Sequence, residues 1–272
     1  VVPISTGTNN AFPLHVEPTV AGAAAGLVAT GAVDLDEVAR PAKVVTVEIL
    51  GDPGERGDHG PTCDLALVDA VAVDDPIVGS LELFDPNTMR VGLLTRADPA
   101  AIGFSSIGGL LHPVDAETDA GLLVRFVPPH TAERCIRAPT APGHYATVGI
   151  ADVRPVALGE VVEVDGPLLL EFDGERTRRL GPGQTARLSV ERTGPRVVDV
   201  AATLSAAVAA GRFDVAPPPP PTTADPVPVD DDWHAPGCPC CGGAIGRSTG
   251  GLPTDDTGAV HTTGSTSTGD TT

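Results

Sequence analysis

Lysine, cysteine and long apolar runs are all scarce in this 272-residue sequence. Lys43 is the only lysine, and the formal net charge is −19 at pH 7. Such a charge repels phosphate backbones and anionic lipid, so neither nucleic acid nor a membrane surface is an expected partner. It does not exclude a small anionic ligand, because a few arginines and backbone N–H groups can bind phosphate inside a cleft.

The apolar segments are too short to predict a membrane span. The longest one, residues 19–33, is rich in alanine and glycine and predicts a buried helix. The sequence does not open with the charged and then apolar segments of a secretory signal. The five cysteines also lack the even spacing of a disulfide-stapled secreted domain. We therefore expect a cytoplasmic protein.

No metal centre or hydrolytic nucleophile is predicted. The histidines before the C-terminal region have no second ligand at metal spacing, and Cys63 and Cys135 have no C-x₂-C partner. The cluster Cys238, Cys240 and Cys241 lacks the spacing of a zinc knuckle. No G-x-S-x-G sequence is present, which argues against a serine hydrolase.

The composition changes sharply near residue 215. Five consecutive prolines at 217–221 are followed by residues that are mainly Pro, Thr, Gly, Ser and Asp. Such a segment cannot bury enough apolar area to offset the entropy of ordering it. The sequence therefore predicts one structured domain at 1–215 and a disordered tail at 216–272.

The structured part is predicted to be α+β and dominated by strands. Residues 17–32 and 198–210 have the composition of helices, and Pro18 suits a first helical position. Between them lie short Val- and Leu-rich runs separated by Gly, Pro and Asp, which predict strands at 44–50, 65–73, 92–95, 121–126, 145–150, 161–164, 168–172 and 186–190. Many short strands at close intervals favour a β-sandwich with flanking helices over a parallel βαβ sheet.

A cluster of small polar residues near the start is a candidate ligand loop. It follows an apolar Val-Val pair, and its glycine would let backbone and hydroxyl groups approach a phosphate or ribose. The same residue types also form ordinary turns, so the pattern alone leaves both interpretations open. The cluster consists of Ser5, Thr6, Gly7, Thr8, Asn9 and Asn10.

Three carboxylates and one histidine are further candidates. Asp69, Asp173 and Glu175 could bind ribose hydroxyls, ligate Mg²⁺ or accept a proton. The alternative for Asp173 is a hairpin turn with Gly174, and Asp69 could simply lie on a strand surface. His144 precedes a strand and is of a residue type that can transfer a proton near neutral pH, although a surface loop explains it equally.

Taken in order, several segments resemble ATP-NAD kinase-like proteins, in particular the AcoX-like branch of the NAD kinase and diacylglycerol kinase superfamily. The resemblance runs along most of residues 1–213. The segments that carry it are Pro3-Ile4-Ser5-Thr6-Gly7-Thr8-Asn9-Asn10-Ala11-Phe12-Pro13, Glu17-Pro18-Thr19-Val20-Ala21-Gly22, Leu65-Ala66-Leu67-Val68-Asp69, Ile102-Gly103-Phe104-Ser105-Ser106-Ile107-Gly108-Gly109, Ala138-Pro139-Thr140-Ala141-Pro142-Gly143-His144 and Phe172-Asp173-Gly174-Glu175-Arg176.

The resemblance implies the C-terminal nucleotide-binding domain of such a kinase, a β-sandwich, with residues 1–13 ending an N-terminal Rossmann-like domain. It implies transfer of the γ-phosphoryl group of ATP to NAD, giving NADP, with Mg²⁺ as a cofactor. Glu175 and Asp69 would be catalytic. The nucleotide would bind the 5–10 loop together with Ser105, Ser106, His144 and Asp173. Its partners would be small nucleotides, with a homo-oligomer as an open option.

Two departures limit what the resemblance implies. Val68 replaces an asparagine of the family motif, so the expected amide hydrogen bonds to the substrate cannot form. The sequence also contains no Gly-Gly-Asp-Gly-Thr, the loop that holds the ATP phosphates in these kinases. Phosphoryl transfer depends on positioning and charge neutralisation, so we expect this chain alone to be inactive. The alternatives are a non-catalytic nucleotide-binding module and a kinase of the same superfamily that acts on a lipid or another alcohol.

Overall fold

We describe a computed structural model of the chain that covers residues 1–4, 11–12, 15–52, 59, 62–74 and 85–218. The chain divides into the units Val1–Val215 and Ala216–Thr272, and all of the described helices and strands belong to the first. Of the second unit only residues 216–218 are described, and they have no regular secondary structure. The predicted disordered tail therefore lies almost entirely outside the described residues.

The described fold is α+β and dominated by strands, as predicted. The helices are α1 (Pro18–Ala29), α2 (Leu35–Val38), α3 (Phe104–Leu111) and α4 (Val200–Ala209), with a short 3₁₀ turn at Pro129–Thr131. The strands are β1 (Ala39–Pro41), β2 (Val44–Leu50), β3 (Cys63–Ala66), β4 (Asp69–Val73), β5 (Met89–Leu94), β6 (Ala120–Val127), β7 (Arg134–Ala141), β8 (His144–Ala157), β9 (Val162–Asp165), β10 (Leu168–Phe172), β11 (Arg176–Leu180), β12 (Thr185–Glu191) and β13 (Arg196–Val198).

Most of these strands form two facing sheets, which we call the sandwich. One sheet has seven strands in the order β11-β10-β4-β5-β6-β8-β7, and the other has four in the order β3-β2-β12-β9. Their facing side chains form one buried apolar core that includes Phe172, Leu170 and Leu188. β12 shows the local pattern clearly, because buried and half-buried residues alternate along it with the period of two that a strand requires.

The seven-stranded sheet buries its second face as well. α3 packs on that face with Phe104 and Ile107, beside Leu122 and Val124 of β6. The sequence analysis assigned no helix to this segment. The close approach of α3 depends on Gly109, since a Cβ at that position would lie 2.2 Å from the carbonyl carbon of Asp98.

A smaller group of elements lies outside the sandwich, and we call it the helical layer. It consists of α1, α2, α4 and the two-stranded sheet of β1 and β13. Glu17 caps α1 by accepting from Val20 N, and Asp199 caps α4 by accepting from Ala202 N, so each helix begins within two residues of its predicted start. The helical layer has its own small core around Val33, Val38 and Ala207.

The predicted strand at 65–73 is wrong in one respect, because the chain changes sheets in its middle. β3 pairs with β2 in the four-stranded sheet, whereas β4 lies between β10 and β5 in the seven-stranded sheet. Leu67 and Val68 make the crossing. Their backbone groups leave the ladder there and need other partners, and Asp173 and Thr95 supply those partners, as described below.

None of the helices in the described part of the chain is long and apolar enough to cross a membrane.

Candidate functional site

A cavity of about 460 Å³ lies at the junction between the helical layer and the sandwich. Its walls come from the ends of β1 and β13, the segment after β5, and the segment that joins α3 to β6. Leu67, Pro99 and Val114 contribute apolar surface. Pro3 on one side of the predicted ligand loop, and Ala11 and Phe12 on the other, also line the cavity. Residues 5–10 themselves lie outside the described residues.

The charge of the cavity wall differs from that of the chain as a whole. Four basic and four acidic side chains line it, whereas the whole chain carries a net charge of −19. An anion entering the cavity therefore meets a balanced wall instead of the average repulsive field. The charged residues are Arg40, Lys43, Arg96, Arg192, Asp98, Asp115, Glu117 and Asp199.

Lys43 is buried in this wall and anchors the segment that follows α3. Its Nζ donates to the backbone carbonyls of Asp115, at 2.9 Å, and Ala120, at 2.7 Å. Burial, reinforced by the nearby Arg192 guanidinium, lowers the pKa of Lys43 to about 8. An ammonium has three N–H donors, so one remains for a ligand beyond these two carbonyls.

Arg192 holds the same segment from the other side. Its guanidinium pairs with the Asp119 carboxylate, with Nη2 and Oδ1 at 2.6 Å, and donates to the backbone carbonyls of Ala116, Glu117 and Thr118. Lys43 and Arg192, one buried and one half-buried, therefore both donate hydrogen bonds to backbone carbonyls of the same loop. The loop is fixed by these contacts and forms a stable wall of the cavity.

Next to Leu67, which lines the cavity, Asp173 organises the crossing between β3 and β4. Its carboxylate accepts from the backbone N–H groups of Leu67 (2.9 Å), Val68 (2.7 Å) and Asp69 (3.3 Å). The hydroxyl of Thr95 donates to the carbonyls of Leu67 and Val68, both at 3.0 Å. The crossing that the sequence analysis missed is therefore stabilised by groups from two neighbouring strand ends.

The predicted hairpin at Asp173-Gly174 is confirmed. Asp173 has φ of 56° and Gly174 has φ of 70°, the conformation that a tight turn between twisted strands requires, and β10 pairs with β11 across it. Aspartate tolerates this conformation better than most residues. One residue therefore makes the turn and, through its carboxylate, holds the β3–β4 crossing.

Asp69 is buried at the start of β4, close to Asp173. Burial raises the pKa of Asp69 to about 7, and the neighbouring Asp173 carboxylate adds to the effect, while the Arg96 guanidinium opposes it. Arg96 also lines the cavity, and burial lowers its pKa below the ordinary value. The Arg96 guanidinium therefore lines the cavity and also interacts electrostatically with the Asp69 and Asp173 carboxylates.

Ser105 and Ser106 lie in the first turn of α3 and are both buried. Neither hydroxyl has a hydrogen-bond partner within the described structure. A buried hydroxyl without a partner is uncommon in a folded protein, so these two groups are candidates for a ligand or a bound water.

The remaining predicted residues lie in turns of the seven-stranded sheet. Glu175 is exposed in the β10–β11 turn, and His144 is exposed at the start of β8, next to Gly143 at the tip of the β7–β8 hairpin. Of the predicted site residues that the structure describes, none is among those lining the cavity. Their roles in binding and catalysis stay predictions.

Sequence reasoning did not select Lys43, Arg96 or Arg192 as site residues. The signal available for Lys43 was its position as the only lysine, next to a Val-rich strand. Arg96 lies two residues after the end of the buried strand β5, where side chains from different strands often meet. Nothing in the sequence distinguishes Arg192 from the other arginines.

Comparison with known proteins assigns the chain to a family. Residues 56–193 match the acetoin catabolism protein X C-terminal domain. The chain belongs to this family. It is also 36% identical over 200 residues to acetoin catabolism protein X of Cupriavidus necator, a match that covers 73% of this chain and 54% of that protein. The chain therefore spans about half the length of this AcoX relative.

Among solved structures, the AcoX-family chain is similar to the crystal structure of yeast NADH kinase complexed with NADH. The similarity covers 79% of this chain and 58% of the other, with a TM-score of 0.37 and 13% sequence identity. A similarity of this size defines neither fold nor function.

No metal centre is evident in the described residues of the AcoX-family chain, since they contain no cluster of three or more His, Cys, Asp or Glu side chains able to hold an ion.

Proposed function

We propose that the cavity binds the phosphate-bearing part of a nucleotide. In this proposal the chain is the nucleotide-binding half of an ATP-NAD kinase-like phosphotransferase. The observation that supports it best is the position of the predicted ligand loop, because Pro3, Ala11 and Phe12 on its two sides line the cavity. A volume of about 460 Å³ also falls in the range of small-molecule pockets.

The cationic side chains of the wall have distinct proposed roles. Arg96 would pair with phosphate oxygens through its planar guanidinium, and Lys43 would add a point charge through its remaining N–H donor. Because Lys43 and Arg192 already fix the loop after α3, the wall needs little rearrangement to receive a ligand. The apolar lining, including Phe12, suits the base or ribose.

Asp69 is best placed to position Arg96 in this proposal. It is buried, and its carboxylate and the Arg96 guanidinium stabilise each other's charged form. Asp173 is held by the β3–β4 crossing, which leaves its carboxylate oxygens little freedom to bind ribose. Glu175 is the exposed carboxylate of the set and is proposed to meet the acceptor side of a completed cleft.

The described residues suit ATP and NAD better than they suit Mg²⁺. ATP and NAD each offer phosphates for the cations and an apolar base for the apolar lining of the cavity. Mg²⁺ does not fit the described residues as a protein-held ion, since they provide no cluster of three suitable ligands. Magnesium would have to be held largely by nucleotide phosphates or by a domain outside this chain.

A second candidate function, binding without catalysis, is supported by one observation. The sequence has no Gly-Gly-Asp-Gly-Thr loop to hold a triphosphate. A chain that retains a nucleotide cavity but lacks this loop could act as a sensor or regulatory module. The relative from Cupriavidus necator is named for acetoin catabolism, and we propose this as the setting for either function.

Calorimetry with ATP, NAD and NADP tests binding to the cavity. We expect dissociation constants in the micromolar range or weaker for the wild-type chain. Arg96→Met should weaken binding by about tenfold or more, because it removes a charged pair with phosphate. The matched control is Arg137→Met, an exposed arginine on the edge strand β7, which should leave affinity within about twofold. No heat at millimolar ligand, or equal losses in both variants, contradicts the proposal.

An enzyme-coupled assay of NADP formation separates the two candidate functions. We expect no measurable turnover of ATP and NAD by this chain alone. If the protein is a kinase, supplying a Gly-Gly-Asp-Gly-Thr domain should create activity, and Asp69→Asn or Glu175→Gln should then reduce it by more than about tenfold. Nucleotide binding that never leads to turnover favours the regulatory module.

A further inference from the structure

Arg178 is a buried cation on β11. Only 8% of its surface is exposed, and its Nε has no hydrogen-bond partner within the described structure. None of the ion pairs among the described residues includes it. A guanidinium cannot lose its charge in a protein, and a buried charge is ordinarily paired. In the described part of the chain, Arg178 therefore has no group that balances its charge.

The strand register places the Arg178 side chain on the inner face of the seven-stranded sheet. Arg178 lies opposite Leu170 of β10, and Leu170 belongs to the core between the two sheets. Side chains alternate along a strand, so Arg178 shares its face with Leu180, another core residue, and with Arg176. Because β11 is an edge strand, this inner face reaches the side of the sandwich there.

The edge strand of the other sheet, β3, lies across from β11. Asp64 of β3 is paired with the core residue Val47, so its side chain also points between the sheets. The Arg176 guanidinium joins the two edges, with Nη1 2.7 Å from the Asp64 Oδ1 and Nη2 donating to the Leu65 carbonyl. We call the space bordered by Asp64, Arg176 and Arg178 the edge cleft. Its one carboxylate balances Arg176 and leaves Arg178 uncompensated.

We propose that the edge cleft binds a small carboxylate, held by the Arg178 guanidinium beside Arg176. A carboxylate carries the single negative charge that these three side chains lack, and its two oxygens match the fork of guanidinium N–H donors. A phosphate group, with nearly two charges at neutral pH, would leave excess negative charge beside Asp64.

The carboxylate would enter from the open side of the edge cleft. The side chains of Arg176 and Asp64 are 49% and 25% exposed there, whereas Arg178 lies deeper. None of the three side chains is among those that line the cavity at the junction with the helical layer. The edge cleft is therefore a separate anion site, and it does not depend on the proposed nucleotide function.

NMR of arginine Nε–H groups tests the proposal on the full 272-residue chain. The probe is acetate, added at constant ionic strength in exchange for chloride, and the Arg178 signal is assigned by its loss in Arg178→Met. We expect this signal and the backbone amides of β3 and β11 to shift and to saturate with a dissociation constant in the millimolar range. Arg137→Met, which removes the same charge from the opposite edge strand β7, should bind acetate as the wild type does.

Thermal denaturation gives a readout that a merely structural arginine would not change. Acetate should raise the Tm of the wild type and of Arg137→Met, but not that of Arg178→Met. Without acetate, Arg178→Met should be at least as stable as the wild type, because it replaces an uncompensated buried charge with an apolar side chain. If Arg178→Met does not fold, the wild-type NMR titration still decides.

Three results would overturn the proposal. The first is an Arg178 signal that does not move at about 0.1 M acetate, well above a millimolar dissociation constant. The second is an equal or larger response to inorganic phosphate, which would assign the edge cleft to another class of anion. The third is a shift of the Arg178 signal in Glu55→Gln or Asp58→Asn, since the chain itself would then supply the carboxylate.

Discussion

The sandwich and the helical layer bury their apolar residues to different extents. The seven-stranded sheet buries one face against the four-stranded sheet and the other against α3, so its inner strand β4 is buried at every residue. The helical layer has only the small core around Val33, Val38 and Ala207, and its two long helices expose apolar residues. Stability is expected to reside mainly in the sandwich, and the helical layer is expected to open more readily.

The cavity lies where these two regions meet, which suits a ligand site. Pockets are common at junctions between compact regions, because two separately folded surfaces seldom close completely against each other. Here the sandwich supplies Arg96 and the loop held by Lys43 and Arg192, while the helical layer supplies Arg40 of β1 together with Val197 and Val198 of β13.

The largest expected effect is in the sandwich core. Phe172 is fully buried between the two sheets, and the Arg176 guanidinium lies 5.4 Å from its ring centroid. Phe172→Ala should lower the free energy of unfolding by about 3–5 kcal/mol, measured by urea denaturation. Val208→Ala in the helical layer should change it by less than about 0.5 kcal/mol. Similar losses at the two sites would contradict the contrast between the regions.

The next effect is a dependence of stability on pH at the buried Asp69, at the start of β4. Because the pKa of Asp69 is raised to about 7 in the folded chain from an ordinary 3.8, the folded state holds this proton more tightly than the unfolded state. The contribution of Asp69 is therefore fully present below its ordinary pKa and is lost as pH rises through 7. Asp69→Asn should remove this dependence.

The comparison of wild type and Asp69→Asn is made by denaturation between pH 4 and pH 8. As the pH rises from 4 to 8, the free energy of unfolding of the wild-type chain should fall by about 2–4 kcal/mol more than that of the variant. Asp64→Asn is the control. Asp64 is less buried than Asp69, and its carboxylate pairs with the Arg176 guanidinium and does not lie against a second carboxylate. Parallel stability curves for wild type and Asp69→Asn would rule out the buried carboxylate account.

A somewhat smaller effect is expected where Asp173 holds the β3–β4 crossing. Asp173→Asn keeps a residue that tolerates the turn but removes the charge that accepts three backbone N–H groups. Unfolding should become easier by about 1.5–3 kcal/mol in thermal or chemical denaturation. Glu175→Gln, an exposed neighbour in the same turn, should be nearly neutral. If Asp173→Asn is equally neutral, the carboxylate does not stabilise the crossing.

The smallest effect concerns the ion pair that spans the two regions. Arg40 of β1 and Glu117 lie 3.4 Å apart on the rim of the cavity, and both side chains are largely exposed. Such pairs contribute little, so Arg40→Gln should change the free energy of unfolding by less than about 0.5 kcal/mol. If Arg40→Gln instead lowers the free energy of unfolding by about 2 kcal/mol or more, as loss of a buried ion pair does, this contact is a main stabilising link between the sandwich and the helical layer.

The elements that could be predicted from the sequence are those with a strong local pattern. The strands at 44–50 and 168–172 were predicted with their observed bounds, and Pro18 and the Ala-rich segment near residue 200 located α1 and α4. The hairpin at Asp173-Gly174 was found because its two residue types favour positive φ. In each case local propensity and tertiary structure agree.

What could not be predicted depends on contacts between distant residues. The break between β3 and β4 falls inside a mainly apolar run, and the groups that stabilise it, the Thr95 hydroxyl and the Asp173 carboxylate, are distant in sequence, Asp173 by more than a hundred residues. α3 was missed because its two glycines weaken the helical signal, although they allow its close packing. The cations of the cavity are widely separated in sequence and meet only in the fold.

The central claim is that the cavity between the sandwich and the helical layer binds a nucleotide, and a hydrogen-exchange footprint tests it most directly. Exchange of the 272-residue chain would be measured with and without saturating ATP or NAD. The account predicts slower exchange at residues 95–98 and 114–117, which line the cavity, and no change at the β7–β8 hairpin tip around Gly143. Protection confined to that hairpin, or no protection anywhere at millimolar nucleotide, would contradict it.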